Sequence, residues 1–489
     1  MACVVAIDAG TTGVRSIAFD EAGKPVASAY QEFPQYFPQP GWVEHDAVEI
    51  WSVVEATLAS LVKQIDQPIA AIGVASQRET VVVWDKTTGE PLHRAIVWQD
   101  RRTAERCNEL ADAGHLEMVR TKTGLVLDSY FSATKLEWLI RGGDVTPTSS
   151  TVFGTVDSWV IWKLTGGAVH VTDPSNASRT MLYDIGAREW SDELLDLFGI
   201  PASMMPDVHP SSSRVAVTGE ELPLPAGVPI SGIAGDQQAA LFGQACFSPG
   251  DAKNTYGTGS FVLMNVGTQM PKPVDGLLTT LACSVADDAP NYVLEGAIFV
   301  TGAAIQWLRD GLGIIDDASE MGALAESVES SEDVFIVPAF AGLGSPWWDP
   351  NARGTIVGLT RGSTRAHVAR ATVEAMAFQT RDALDVMVQA GGVPIEHLRV
   401  DGGASAMGLL LQVQADQLGV AVHRSAIAET TALGAAYLAG IAEGVWSGTE
   451  EVAEAWQSDA IAAPAGDRMS SDQLHARWLQ AVDRSRNWV

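Results

Sequence analysis

Basic residues are scarce in this chain. Lys and Arg total 31 against 60 Asp and Glu, a formal net charge of −29. Such a field repels phosphate backbones and anionic lipid, so nucleic-acid and membrane partners are not expected. Cysteine is scarce too: Cys3, Cys107, Cys246 and Cys283 form no C-x-x-C pair, and no histidine cluster accompanies them. That excludes a disulfide framework or a cysteine-held zinc and suits a reduced, intracellular protein. No apolar run is long enough to cross a bilayer, and the first residues enter a strand pattern without a basic leader. A cytoplasmic protein with no membrane insertion is the expectation. Several catalytic signatures are also missing. There is no G-x-x-x-x-G-K-[ST], no protein-kinase catalytic loop, no G-x-S-x-G elbow and no H-E-x-x-H. If phosphate is handled here, hairpin turns and magnesium must do it.

What is present describes a turn-rich globular chain. It has 489 residues, 46% hydrophobic, with 46 glycines, enough for two or three domains. The stretch Ser231-Gly232-Ile233-Ala234-Gly235-Asp236-Gln237 organises the rest. A short apolar run ends at a glycine, a carboxylate follows, and then comes a helical Ala/Leu/Phe run to Gly243. Asp236 therefore sits where a strand hands over to a helix, the place where open α/β sheets bind ligands. A carboxylate there can cap the helix, hold a metal or take a proton from a substrate. For an isolated Asp the cap is the plainer reading. Other stretches of this chain face the same point and favour chemistry.

Residues 4–20 read as two strands around the turn Gly10-Thr11-Thr12-Gly13, with Asp8 at the end of the first strand and Arg15 past the turn. Such a turn can aim backbone N–H groups and hydroxyls at one anion, and Asp8 stands as a magnesium-holding Asp would. A helix is predicted near 50–61, and His45 before it reads as a loop-packing residue. A buried strand at 69–75 ends at Gln77-Arg78-Glu79-Thr80. An adjacent Arg and Glu can offer donors and an acceptor to neighbouring hydroxyls. A self-satisfied surface ion pair is the plainer local reading. Trp98 ends a third apolar run, as a wall for a small substrate or as core. Residues 128–139 turn from loop to helix around Tyr130, and 211–229 read as loop-rich.

From about Cys246 the order of parts repeats. Residues 254–265 are again strand, Gly-Thr-Gly turn, strand, and 398–406 again strand and Asp-Gly turn before a helix at 409–418. Gly302 opens another helix. A helix of small residues at 429–440 suits close packing, and 462–489 is a polar tail with a closing helix. The reading is a divergent duplication: two α/β domains, 1–245 and 246–489, with the site in the cleft between them.

The stretches 8–15, 77–80, 96–102, 130–135, 154–157, 232–243, 254–259 and 400–404 together resemble the FGGY carbohydrate kinases, above all the members that act on glycerol. Residues 179–183, 338–348 and 354–362 extend the resemblance, which covers 4–445. It implies two duplicated actin-like (ribonuclease H-like) domains facing an interdomain cleft. It also implies an ATP- and magnesium-dependent reaction, glycerol and ATP giving sn-glycerol 3-phosphate and ADP. Carried over by position, Arg78, Glu79, Tyr130, Asp236 and Gln237 bind the polyol, and Trp98 and Phe261 wall it. Asp236 is the general base, with Asp8 and Asp236 at the metal. Thr11, Thr12, Gly13 and Arg15 form the first phosphate hairpin. Thr258, Gly302, Gln306 and Gly403 contact the nucleotide from the second domain. Met407 departs from the pattern, since family members usually carry Asn there, near the adenine. The expected assembly is a homodimer or homotetramer. A kinase for another polyol or a sugar is the nearest rival, and a non-catalytic actin-like protein the rival from another class.

Overall fold

A computed structural model of the chain describes residues 2–286 and 288–489. Two mixed sheets carry the fold. The first has six strands in the order Ser212–Val217, Pro229–Gly235, Ile69–Ser76, Cys3–Ala9, Gly13–Phe19, Pro25–Glu32. Its three central strands, from Pro229–Gly235 to Cys3–Ala9, run parallel, and antiparallel strands flank them. The parallel strands are almost wholly buried, which is why they read as unbroken apolar runs.

The second sheet repeats this plan. Its order is Leu278–Leu281, Tyr292–Ile298, Ser260–Gly267, Ala252–Tyr256, His397–Asp401, Ala421–Ser425, Ser458–Ala462. Again an antiparallel meander opens the sheet, two further strands add in parallel, and an antiparallel strand closes the edge. The duplication is architectural, as the order of motifs predicts.

Two segments differ from their sequence reading. Ser212–Val217, expected as loop, is an edge strand. Its Ser-Ser-Arg start and half-exposed face hide the apolar alternation that would mark a strand. The tail is polar on one side only: helix Arg468–Ser485 buries Trp478, Ala481 and Val482 against the long helix Arg365–Gly391. There the Trp478 indole N–H donates 2.8 Å to Asp382, and His475 lies 2.7 Å from the same carboxylate.

The helix Thr430–Ala442 comes from the second half of the chain but packs on the first sheet and on helix Asp236–Gly243. Small residues make this possible. A Cβ on Gly434 would stand 1.9 Å from the Ala239 carbonyl oxygen, and one on Gly73 2.0 Å from that of Ala435. Val4, Ala6, Ala75 and Ala234 form one core with Ala432, Ala435, Ala439 and Trp446. Among the described residues no helix is long and apolar enough to cross a membrane.

Candidate active site

The carboxyl ends of the three parallel strands of the first sheet meet at one place. In register, Ser76 pairs with Ala9 on one side and Gly235 on the other. Asp8, the pair Arg78 and Glu79, and Asp236 are thereby brought together. Gly10 N–H donates 3.0 Å to the Gly13 carbonyl and closes the first hairpin. Gln35 and Gln77 donate, each at 2.9 Å, to the carbonyls of Thr11 and Gly10 and brace it from behind. His45 lies behind both amides, 2.7 Å from the Gln35 oxygen. Burial lowers its pKa to about 4, so it is neutral there. Gly13 must be glycine: a Cβ would meet the Gln31 carbonyl oxygen at 2.6 Å. Trp98 donates its indole N–H 3.0 Å to the Thr11 hydroxyl and meets Tyr130 edge-on at 5.5 Å.

Asp236 is the first residue of its helix, and Gly235 occupies the cap position. Its carboxylate accepts from the Gln237 N–H at 2.7 Å and lies 3.3 Å from Arg78 Nε, with 28% of the side chain open to solvent. The capping reading does not hold. Burial raises its proton affinity and the Arg78 charge opposes that rise. Gly235 lets the arginine pass, since a Cβ there would stand 2.8 Å from the Arg78 side chain.

Arg78 and Glu79 are not a surface pair: they are 3% and 1% exposed. Arg78 donates from Nη1 to Glu295 at 2.5 Å and to Gln238 at 3.2 Å, and from Nη2 to Glu295 at 3.1 Å, with a long 3.5 Å contact to the Tyr130 hydroxyl. Arg179 donates 2.6 Å to Glu79 and 3.0 Å to Glu295. The four charges close a ring, with Arg78 Nε 3.7 Å from Glu79. Glu79 holds a left-handed backbone at φ 63°, a strained state for a non-glycine that surrounding bonds must maintain. Ser132 supplies one of them, donating 2.9 Å to the Glu79 carbonyl. Burial raises the Glu79 carboxyl, whereas in Glu295 burial is outweighed by Arg179 and Arg78, which hold it at about 2. The Phe261 ring, from strand Ser260–Gly267 of the second sheet, has its centroid 6.0 Å from the Arg78 guanidinium. Gln237 accepts 2.6 Å from Lys253, whose pKa burial lowers to about 8.

The second half offers a different surface. Gly257 donates 2.8 Å to Gly259, and Gly302 donates 3.0 Å back to Gly257, so hairpin and helix start interlock mainly through backbone, with the Thr301 hydroxyl adding a 3.1 Å bond to the Gly257 carbonyl. Thr258, Gly302, Gln306 and Gly403 all line one cavity of about 650 Å³, with Met407 on its wall. Arg15 leans across to pair with Glu429, at the start of helix Thr430–Ala442.

A family model for the N-terminal domain of the FGGY carbohydrate kinases matches residues 3–243, and one for the C-terminal domain matches 252–443. The chain belongs to the FGGY family of carbohydrate kinases. Glycerol kinase 2 of Thermotoga maritima is 51% identical over 495 residues, covering 100% of this chain and 99% of that protein. A glycerol kinase of Acidovorax ebreus is 52% identical over 493 residues, covering 99% of both. Among solved structures, Plasmodium falciparum glycerol kinase with ADP superposes with a TM-score of 0.94 at 34% identity, over 99% of this chain and 98% of that one. A gluconate kinase from Lactobacillus acidophilus, at TM-score 0.90 and 23% identity over 99% and 98%, shares the fold.

In this FGGY kinase the residues also fit magnesium. Among the described residues no group of three or more His, Cys, Asp or Glu could hold a metal alone. Magnesium commonly needs only one or two carboxylates, taking its other positions from water and phosphate. Asp8 is pushed up to about 7 by burial and then by the Asp236 charge, so the two carboxylates repel each other and suit a shared hard cation. Sequence reasoning assigned no role to Glu295, Arg179, Lys253 or Gln238. A signal existed for one: Glu295 is the only charge in the apolar strand Tyr292–Ile298.

Proposed function

We propose that this FGGY kinase phosphorylates glycerol with ATP and gives sn-glycerol 3-phosphate and ADP. One observation carries the reading: Asp236, 28% open to solvent, lies directly beside buried Arg78 and Glu79 and half-buried Tyr130. Relatives about half identical over the whole length support it. In this reading Arg78, Glu79, Tyr130 and Gln237 hold the hydroxyls, while Trp98 and Phe261 press on the carbon chain. Asp236 accepts the proton of the attacking hydroxyl as its oxygen bonds to the terminal phosphorus. Thr11, Thr12, Gly13, Arg15 and Thr258 hold the phosphates, for which Arg15 must exchange Glu429. Gly302, Gln306 and Gly403 hold the nucleotide. Asp8 and Asp236 would hold a magnesium ion, whose chemistry there is to neutralise charge on the terminal phosphates. Phosphoryl transfer asks the protein mainly for positioning and charge stabilisation. In this reading residues 1–245 carry the base and all the polyol contacts but Phe261, and 246–489 hold the nucleotide against the first phosphate hairpin, in a cytoplasmic homodimer or homotetramer.

The test is ADP release with glycerol, dihydroxyacetone, erythritol and xylulose, compared by kcat/KM. Glycerol should lead. A higher value for xylulose makes this a sugar kinase of the same fold. No polyol-dependent ADP release at all makes it a non-catalytic actin-like protein.

A further inference from the structure

Two charges on the second sheet reach into the acceptor site of the first. Glu295 lies in strand Tyr292–Ile298 with its side chain wholly out of solvent. Its ion pairs are with Arg78 and Arg179, residues of the first half. Lys253, equally buried, lies in strand Ala252–Tyr256 and donates across to Gln237 as well as 2.9 Å to Thr255 in its own strand. Neither lines the nucleotide cavity. Burying a charge is costly unless it is paired, so packing alone would favour an apolar residue at both positions.

Their effect on the acceptor residues is specific. Glu295 takes both terminal nitrogens of Arg78. The remaining nitrogen already lies 3.3 Å from Asp236, and without Glu295 only the Gln238 bond and a long Tyr130 contact would keep the other edge off that carboxylate. Lys253 engages the oxygen of the Gln237 amide and leaves its N–H₂ end for a ligand oxygen.

We propose that Glu295 and Lys253 are positioning residues through which the nucleotide-binding half completes the polyol site, so polyol affinity depends on how closely the two halves approach. The proposal rests on reading Arg78, Glu79 and Gln237 as polyol-binding residues. Neither charge touches the polyol. Each holds a residue that does, from the opposite sheet. Moving the sheets apart separates these pairs and loosens the polyol site. A nucleotide that draws the halves together therefore strengthens polyol binding, and by linkage the polyol strengthens nucleotide binding equally.

Calorimetry on the full chain tests this, with glycerol titrated in the absence and presence of ADP. Glu295→Gln should weaken glycerol binding about 10- to 100-fold, as for lost bonds between charged groups, and abolish the gain that ADP brings. Its affinity for ADP alone should stay within about twofold. Lys253→Met should weaken glycerol binding by about three- to tenfold. Glu295→Asp, which keeps the charge on a shorter stem, should recover part of the loss. Wild-type glycerol affinity in both Glu295→Gln and Lys253→Met overturns the proposal. So does a parallel loss of glycerol binding, ADP binding and melting temperature, which marks a purely structural role. If Glu295→Gln does not fold, Lys253→Met and Glu295→Asp decide, and normal glycerol affinity in both overturns it. A wild-type protein that binds no glycerol overturns the functional reading, and this proposal with it. Normal binding throughout overturns this proposal alone.

Discussion

The hairpins at 10–13 and 257–259 occupy equivalent places in the two sheets, yet they are held by different means. Behind the first stand Gln35, Gln77 and a neutral His45, and Trp98 grips its Thr11 hydroxyl. The second is tied mainly by backbone bonds between Gly257, Gly259 and Gly302. The sites beside them differ in the same sense. Beside the first lies a buried ring of four charges, Arg78, Glu79 and Arg179 with Glu295 from the second sheet, and beside the second a glycine-rimmed cavity of about 650 Å³. The difference suits their proposed ligands. A neutral polyol offers only hydroxyls, which bind well only to strong partners fixed in place. A nucleotide brings its own charge and a broad flat base, which backbone N–H groups and open walls can take.

The comparison can be broken most severely at Asp236. Asp236→Asn should keep glycerol and ATP binding within about tenfold while kcat falls roughly 10²- to 10⁴-fold, the usual worth of a general base. Measuring kcat across a magnesium titration separates the roles, because a defect repaired by magnesium would make Asp236 chiefly a metal ligand. Next is Arg78→Ala. It should reduce kcat/KM for glycerol by about 2–4 kcal/mol, and the melting temperature should fall as well, because two buried carboxylates, Glu295 and Glu79, are left to share the single cation Arg179. A large kinetic loss with unchanged stability would contradict the closed ring.

Glycine positions sharpen the contrast between close packing and open cavity. Gly434→Ala places a Cβ 1.9 Å from the Ala239 oxygen and should cost about 1–3 kcal/mol in urea unfolding. At Gly403 a Cβ meets nothing within 4 Å, so Gly403→Ala should leave stability alone and alter only nucleotide affinity. Equal unfolding midpoints for the two variants would refute the packing assigned to helix Thr430–Ala442. The smallest effect concerns the bracing of the first hairpin. The folded His45 titrates near 4 against an unfolded value of 6.5. Between those values the unfolded chain binds more protons, so stability rises with pH and is lost as pH falls through this window. At pH 6 the loss is about 1 kcal/mol. In His45→Gln this part of the pH dependence should vanish, and an unaltered stability profile would show that His45 does not carry it.

Much of the site was legible because it lies at the ends of local patterns. Asp8, Arg78 and Asp236 each follow an apolar run, and a parallel sheet necessarily brings the ends of neighbouring strands together. The glycine turns at 10–13 and 257–259 announce themselves for the same reason, through backbone demands that few other residues meet. The ion pair Arg78–Glu79 was misjudged locally, since two adjacent charges look alike whether solvent or protein surrounds them. Their burial comes from Arg179 and Glu295, 100 residues from Glu79 and 217 from Arg78 along the chain.

The sequence by itself determined the parallel strands of the first sheet, the glycine turns, the duplicated order of parts and the family, because each is written in short-range periodicity and backbone preference. Only the tertiary structure decided that helix Thr430–Ala442 crosses to the first sheet and that Glu295 and Lys253 stand behind Arg78 and Gln237. Those outcomes depend on which surfaces fit together and which buried charges find partners, and both are properties of distant segments taken jointly.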